Sequence, residues 1–178
     1  MDKFKGKYRI ESARLKNHDY GGAGMYFVTI NTKNREFYFG GIECDLQNVA
    51  ALRPTIIGKI AQDYWAEIPK HFPFVELGEF VIMPNHVHGI IKINKQQPIS
   101  TILDKDRVKF GKFAPQSNNL ASIIRGFKAG VKSYATKNQI VFEWQPRYYD
   151  VIIREYQSLC FISKYIRDNP KKWLGSKS

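Results

Sequence analysis

Aromatic and β-branched runs separated by polar turns predict four strands up to residue 93. The runs "MYFVTIN" (25–31) and "REFYFGGI" (35–42) flank a short polar turn, so we expect them to pair as a hairpin. The runs "FVELGEFVIM" (74–83) and "HVHGIIKI" (86–93) flank the turn dipeptide Pro84-Asn85, which predicts a second hairpin. Because a hairpin places its two strands antiparallel, the predicted sheet is mainly antiparallel.

Three further segments have apolar residues at helical spacing. The first begins at Pro54, the second covers residues 118–137, and the third runs from about Glu155 to Asn169 and ends at Pro170. Between the last two, "EWQPRYYDVII" (143–153) predicts one more strand. The order is two strands, helix, two strands, helix, strand, helix, which predicts an α+β fold with helices packed on the sheet.

The charge of the chain favours a polyanionic partner. Lysine and arginine number 28 among the 178 residues, against 16 aspartate and glutamate, which gives a formal net charge of +12. Nucleic acid is the first candidate, and a basic protein with no polyanionic ligand is the alternative. Residues 1–24 are basic and end in "YGGAG", so we expect an N-terminal arm followed by one domain of residues 25–178.

The sequence shows no pattern typical of secreted or membrane proteins. Its N-terminus is charged and has no apolar segment of a signal peptide, and no apolar run is long enough to span a bilayer. Cys44 and Cys160 are too far apart to suggest a disulfide framework or a zinc knuckle. We therefore expect a cytoplasmic protein with no membrane partner.

Two of the four histidines, His86 and His88, lie two residues apart at the start of a predicted strand. Residues at this spacing project from the same face of a strand, where two imidazoles can bind one cation. The alternative is a pair of partly buried histidines that bond only to backbone groups. The spacing by itself leaves both interpretations open.

Tyr165 and Asn169 lie four residues apart in the last predicted helix, and therefore on one helical face. An amide oxygen could complete a site built on two imidazoles, and a phenol one turn away would then lie beside the cation. Alternatively, Tyr165 is a core aromatic residue and Asn169 caps the end of the helix. The spacing again permits both.

Five stretches in this order resemble the REP-associated tyrosine transposases, members of the HUH superfamily of single-tyrosine transposases. They are "DYGGAGMYFVTINTKNREFYFG", "EFVIMPNHVHGIIKI", "LASIIRGFKAGVKSY", "FEWQPRYYDVIIR" and "YIRDNPKKW". The resemblance implies a ferredoxin-like (RRM-like) antiparallel sheet with the histidine pair on a central strand. It also implies His86, His88 and Asn169 as ligands of Mg²⁺ or Mn²⁺, and Tyr165 as the nucleophile.

The activity implied by this resemblance is cleavage and rejoining of single-stranded DNA that forms a hairpin. The tyrosine would attack a phosphate and keep the 5′ end as a phosphotyrosine, so that a second 3′-hydroxyl can rejoin the strand. Two other functions stay open: a module of the same fold that binds nucleic-acid hairpins without cutting them, and a metal-dependent nuclease that uses water. The resemblance leaves both a monomer and a homodimer possible.

Two groups of residues are candidates for binding the DNA. Arg125, Lys128 and Lys132 share one face of the second predicted helix, where they could contact phosphates. Arg147, Tyr148 and Tyr149 combine charge with aromatic rings, a combination that binds unpaired bases by stacking. The alternatives are a solvated helix face and ordinary core aromatic residues.

Overall fold

The computed structural model describes residues 3–4, 7–8, 19–20, 22–47, 49–95 and 118–175. The strands are β1 (Lys3–Phe4), β2 (Lys7–Tyr8), β3 (Gly24–Asn31), β4 (Gly40–Cys44), β5 (Ala50–Pro54), β6 (Val75–Met83), β7 (His86–Ile93) and β8 (Tyr149–Ile153). The helices are α1 (Ile56–Ala66), α2 (Ile68–His71), α3 (Leu120–Lys137) and α4 (Tyr156–Gly175).

The central sheet has four strands in the order β6-β7-β3-β8, and every neighbouring pair is antiparallel. The predicted hairpin of β6 and β7 around Pro84-Asn85 is confirmed. So is the α+β fold, with an antiparallel four-stranded sheet and helices packed on it. Because β7 lies between β6 and β3, it is hydrogen-bonded along both edges, and side chains that project from it have a rigid support.

The predicted pairing of the first two strands is wrong. Residues 35–42 do not pair with β3; instead β4 pairs with β5, a strand that the sequence pattern did not predict. Both edges of β3 are already occupied, by β7 and β8. After β3 the chain also turns sharply, because Asn34 and Arg35 have left-handed backbone angles (φ 52° and 58°).

Two prolines act differently from the prediction. Pro54 ends β5 rather than beginning α1, and Thr55 caps that helix by accepting a hydrogen bond from the Gly58 amide (3.1 Å). Pro170 does not end α4, which continues to Gly175. A proline removes one backbone donor but keeps a helical φ, and the turn that follows Pro170 is stabilised by packing of Trp173 on Phe37 (centroids 5.6 Å apart).

Helices cover both faces of the sheet. On one face, α1 and α3 pack on β3 and β7 around the fully buried ring of Trp65. Gly89 of β7 permits this contact, because a Cβ atom there would lie 2.2 Å from the Trp65 ring. On the other face α4 packs through Ile166 and neighbouring apolar residues, and this is the face from which both strand histidines project.

Some predictions concern residues whose structure is only partly described. Of the predicted basic arm, β1 and β2 pair with each other, and residues 1–2, 5–6, 9–18 and 21 lie outside the described residues. The polar residues 94–118, whose Pro98 and Pro115 predict a long loop, also lie largely outside them. Within the described ranges, none of the helices combines the length and apolar character that a membrane span requires.

Candidate active site

His86 and His88 project from β7 toward α4, as their spacing predicts. Their ring centroids are 4.5 Å apart, and each residue is only 6% exposed. Across the sheet His88 lies between Val81 of β6 and Thr29 of β3. The pair is therefore held on the central strand, largely out of water.

Hydrogen bonds orient both imidazoles. Asn85 donates its amide hydrogen to the Arg35 carbonyl (3.1 Å), which leaves its Oδ1 to accept from Nδ1–H of His86 (2.7 Å). Nδ1 of His88 lies 2.9 Å from the Thr29 hydroxyl. Because the Asn85 oxygen can only accept, Nε2 of His86 carries the lone pair that can bind a cation, and Nε2 of His88 does so when the Thr29 hydroxyl accepts from Nδ1–H.

Both histidines are neutral at pH 7. Burial, followed by the neighbouring His88 and by the charge of Arg35, lowers the pKa of His86 to about 3. Burial and then the charge of Arg35 lower the pKa of His88 to about 4. A neutral imidazole is the form that binds a metal ion, so both rings have a lone pair available at pH 7.

Tyr165 reaches the histidine pair from α4. Its hydroxyl oxygen lies 3.4 Å from Nε2 of His88, and its half-buried ring packs edge-on against Phe27 (centroids 6.1 Å apart). The ammonium group of Lys172 lies 5.3 Å from the centre of the ring. The ring therefore belongs to the core only in part, because its polar end points at the imidazoles.

Asn169 lies one helical turn beyond Tyr165 on α4 and is 8% exposed. It does not end the helix, because α4 continues to Gly175, so the alternative role of a terminal cap is excluded. Its position on the face of Tyr165 is the one expected of a third ligand. That role stays a prediction.

The residues present fit a divalent cation. Two neutral imidazoles face a helix that carries a buried carboxamide, and within the described ranges no cluster of three or more histidine, cysteine or carboxylate residues occurs. The amide oxygen of Asn169 is a kind of donor suited to magnesium or manganese, whereas imidazoles favour softer ions. Binding of Mg²⁺ or Mn²⁺ at these residues stays a prediction.

Comparisons with known proteins identify a relative of the chain and a solved structure with a similar fold. No family model matches it. An uncharacterised protein of Haemophilus influenzae is 40% identical over 175 residues, which cover 94% of this chain and 92% of that protein. The chain belongs to the same family as this Haemophilus protein.

The chain shares its fold with a transposase. A solved structure of a REP-associated tyrosine transposase bound to a REP hairpin matches with a TM-score of 0.56 and 19% identity. The match covers 91% of this chain and 74% of the transposase. The resemblance predicted from the sequence motifs is thereby confirmed for the fold.

Two residues that act on the histidine pair of this chain were not predicted from the sequence. Trp173 lies beyond Pro170, where the helix was expected to end, and its ring centroid is 6.0 Å from that of His86. The spacing of Tyr165, Asn169 and Trp173 at every fourth position was the available signal. Arg35, whose charge lowers the pKa of both histidines, comes from the turn after β3, and no sequence pattern pointed to it.

The first predicted group of DNA-binding residues lies away from the histidine pair. Arg125, Lys128 and Lys132 are on α3, which covers the opposite face of the sheet. The ammonium group of Lys128 donates to the carbonyls of Gln145 (2.7 Å) and Arg147 (3.0 Å). That of Lys132 donates to the Phe142 carbonyl (2.7 Å). These two lysines hold the segment before β8, and phosphate binding by this group stays a prediction.

The second predicted group is divided. Tyr149 lies directly opposite Thr29 in the sheet, so it projects from the face of His88, and it is 56% exposed. Tyr148 projects to the other face and packs against the larger core. Arg147 is exposed and has a left-handed backbone (φ 66°). Of the three, Tyr149 has the position best suited to stacking beside the site.

Proposed function

We propose that the protein is a metal-dependent endonuclease and strand transferase for single-stranded DNA, and that it acts through a 5′-phosphotyrosine. The observation that carries the proposal is the Tyr165 hydroxyl, 3.4 Å from Nε2 of His88 on a pair of buried, neutral imidazoles. A core tyrosine would bury its hydroxyl against a permanent partner. Here the hydroxyl instead meets an imidazole nitrogen that is itself a candidate ligand.

In the proposed reaction the Tyr165 oxygen attacks the phosphorus, and the bond from phosphorus to the 3′-oxygen breaks. The phenol proton passes to water, and the departing 3′-oxygen takes up a proton. The 5′-phosphate stays on the tyrosine as a diester, so a second 3′-hydroxyl can attack it and reverse the step on another strand. No water molecule is consumed overall, which distinguishes strand transfer from hydrolysis.

The side chains around the phenol have separate tasks in this proposal. His86, His88 and Asn169 would hold Mg²⁺ or Mn²⁺, which supplies Lewis-acid stabilisation of charge on the phosphate oxygens. Arg35 and Lys172 place positive charge beside the imidazoles and the phenol, where a DNA phosphate would bind. The ring of Trp173 packs against His86, and that of Phe27 packs against Tyr165. Both rings would limit access of water to the site.

The proposed substrate is a DNA strand with a hairpin. The transposase of the same fold is bound to a REP hairpin, and the net charge of +12 supports binding to a polyanion. Exposed Tyr149 beside the site would stack on an unpaired base next to the cleaved phosphate. The cytoplasm is the location that we propose for a DNA-processing protein of this kind.

We also propose that one chain supplies a complete site. Tyr165 lies beside His88 of the same chain. A homodimer that exchanges α4 between subunits would place the partner's tyrosine in this position instead. Mixing a Tyr165→Phe chain with a His88→Ala chain distinguishes the two: cleavage by the mixture alone would indicate exchange between subunits, and inactivity of the mixture would support a site within one chain.

The test of the reaction uses end-labelled single-stranded hairpins with Mg²⁺ or Mn²⁺. Wild type should cut the DNA and retain the 5′ end as a covalent adduct that denaturing gels resolve. Tyr165→Phe should abolish the adduct and leave hairpin binding nearly unchanged. Tyr156→Phe is the matched control, because Tyr156 is 79% exposed and precedes Tyr165 by about 13 Å along α4.

Other outcomes favour the two alternative functions. Salt-dependent hairpin binding without cleavage by any divalent cation would indicate a binding module. Cleavage with free 5′ ends, unaffected by Tyr165→Phe, would indicate a nuclease that uses water. Either result would refute the phosphotyrosine mechanism.

A further inference from the structure

Asn31 is a residue to which neither the motifs nor the predicted ligand set gave a role. It is the last residue of β3 and pairs directly with His86 of β7. Directly opposite residues of an antiparallel pair project from the same face, with Cβ atoms about 5 Å apart. The Asn31 carboxamide therefore lies beside His86, on the face that α4 covers.

The side-chain oxygen of Asn31 is buried and, within the part of the chain that the structure describes, has no hydrogen-bond partner. A buried amide oxygen without a partner is unfavourable, and a bound ion or water molecule would satisfy it. The surrounding backbone is firmly held. The Asn31 carbonyl accepts from the Gln145 amide (2.9 Å), and the Thr32 amide donates to the Asn85 carbonyl (3.0 Å).

We propose that Asn31 is a further donor of the cation site, with Oδ1 binding the divalent ion that His86 and His88 hold, directly or through a water molecule on that ion. This inference rests on the proposed function, because it requires a cation at the histidine pair. An amide oxygen is the same kind of donor as the one predicted for Asn169. Magnesium and manganese take about six donors, so two imidazoles and two amides leave positions for a phosphate.

The test measures Mn²⁺ binding without any DNA. Isothermal titration calorimetry of metal-free protein would compare wild type with Asn31→Ala, Asn31→Asp and the control Asn94→Ala. Asn94 follows the opposite end of β7, and its amide donates to Glu76. We expect Asn31→Ala to weaken Mn²⁺ binding about tenfold, the lower end of the range for groups that support a metal site. Asn94→Ala should bind as wild type does.

The Asn31→Asp variant distinguishes a metal-binding role of the Asn31 side chain from a purely structural one. A carboxylate keeps the donor oxygen but loses the amide hydrogens, so Asn31→Asp should bind Mn²⁺ at least as tightly as wild type. The electron paramagnetic resonance spectrum of bound Mn²⁺ should differ between Asn31→Asp and wild type. Wild-type affinity in Asn31→Ala, or equal weakness of both variants, would overturn the role of Asn31.

A further variant shows which hypothesis has failed. If wild type binds Mn²⁺ and His88→Ala does not, the cation site exists, and the Asn31 variants test Asn31 alone. If wild type binds no Mn²⁺, or binds it as well after His88→Ala, the cation site itself is refuted together with this inference. Thermal unfolding of each variant would verify that the measured protein is folded.

Discussion

Lowering the pH from 7 to 5 should destabilise this protein through His86 and His88. In the folded protein their pKa values are lowered from 6.5 to about 3 and about 4. Below pH 6.5 the unfolded chain therefore binds protons that the folded chain does not. The stability that depends on neutral histidines is fully present above that pH, falls as the pH is lowered through 6.5, and stops changing near the folded pKa values.

The magnitude follows from the distance between pH 5 and the unfolded pKa. Each histidine contributes about 1.5 units at 1.36 kcal/mol per unit, which is about 2 kcal/mol, and the pair about 4 kcal/mol. The side chains are 6% exposed, so little of this is lost to solvent screening. A small domain has a free energy of unfolding of about 5–15 kcal/mol, so the pair controls a substantial part of it.

Urea unfolding at pH 7, 6 and 5, followed by tryptophan fluorescence with EDTA present, would measure this loss. The control is the double variant His86→Gln/His88→Gln, which keeps the carboxylates that also titrate in this range. Between pH 7 and 5, its free energy of unfolding should fall by about 4 kcal/mol less than that of wild type.

Equal pH dependence of the two proteins would refute the reasoning. If the double variant does not fold, the pKa values of His86 and His88 in wild type can be measured directly from the imidazole proton shifts by NMR. A titration midpoint near 6.5 for either histidine would contradict the burial and the electrostatics described for the site.

Two other substitutions test the support of the site and its charge. Gly89→Ala should lower the free energy of unfolding by about 1–3 kcal/mol in urea titrations, because the new methyl group collides with Trp65, whereas Gly41→Ala, which meets nothing within 4 Å, should have little effect. Arg35→Gln should reduce hairpin cleavage at low salt about tenfold and weaken its salt dependence, while Lys59→Gln, on an exposed position of α1 across the sheet, should not. Equal effects of the two would show that Arg35 acts only through general charge.

The parts of the structure that were predictable depend on residues close in sequence. The β6–β7 hairpin follows from two strand patterns on either side of Pro84-Asn85. The common face of His86 and His88 follows from the pleat of one strand, and that of Tyr165 and Asn169 from one helical turn. The family resemblance related these two pairs to each other, and the structure brings the Tyr165 hydroxyl to His88.

The parts that were missed depend on pairing between distant segments. The partners of β3 are β7 and β8, and periodicity says nothing about which strands meet. The positions of Asn31 and Arg35 beside the histidines arise from this pairing and from the turn that follows β3. Likewise, the pattern of α3 shows which of its sides is apolar, but not which face of the sheet it covers, so it did not show that Lys128 and Lys132 donate to backbone carbonyls before β8.

Continuation of α4 through Pro170 makes Tyr165, Asn169 and Trp173 parts of one stiff rod, which the ion pair of Arg167 with Glu79 (2.8 Å) links to β6. Rotation of this rod by a single residue, about 100°, would move the phenol, the amide and the indole away from the histidines together. The three side chains therefore keep fixed positions relative to one another, whatever the position of the helix on the sheet.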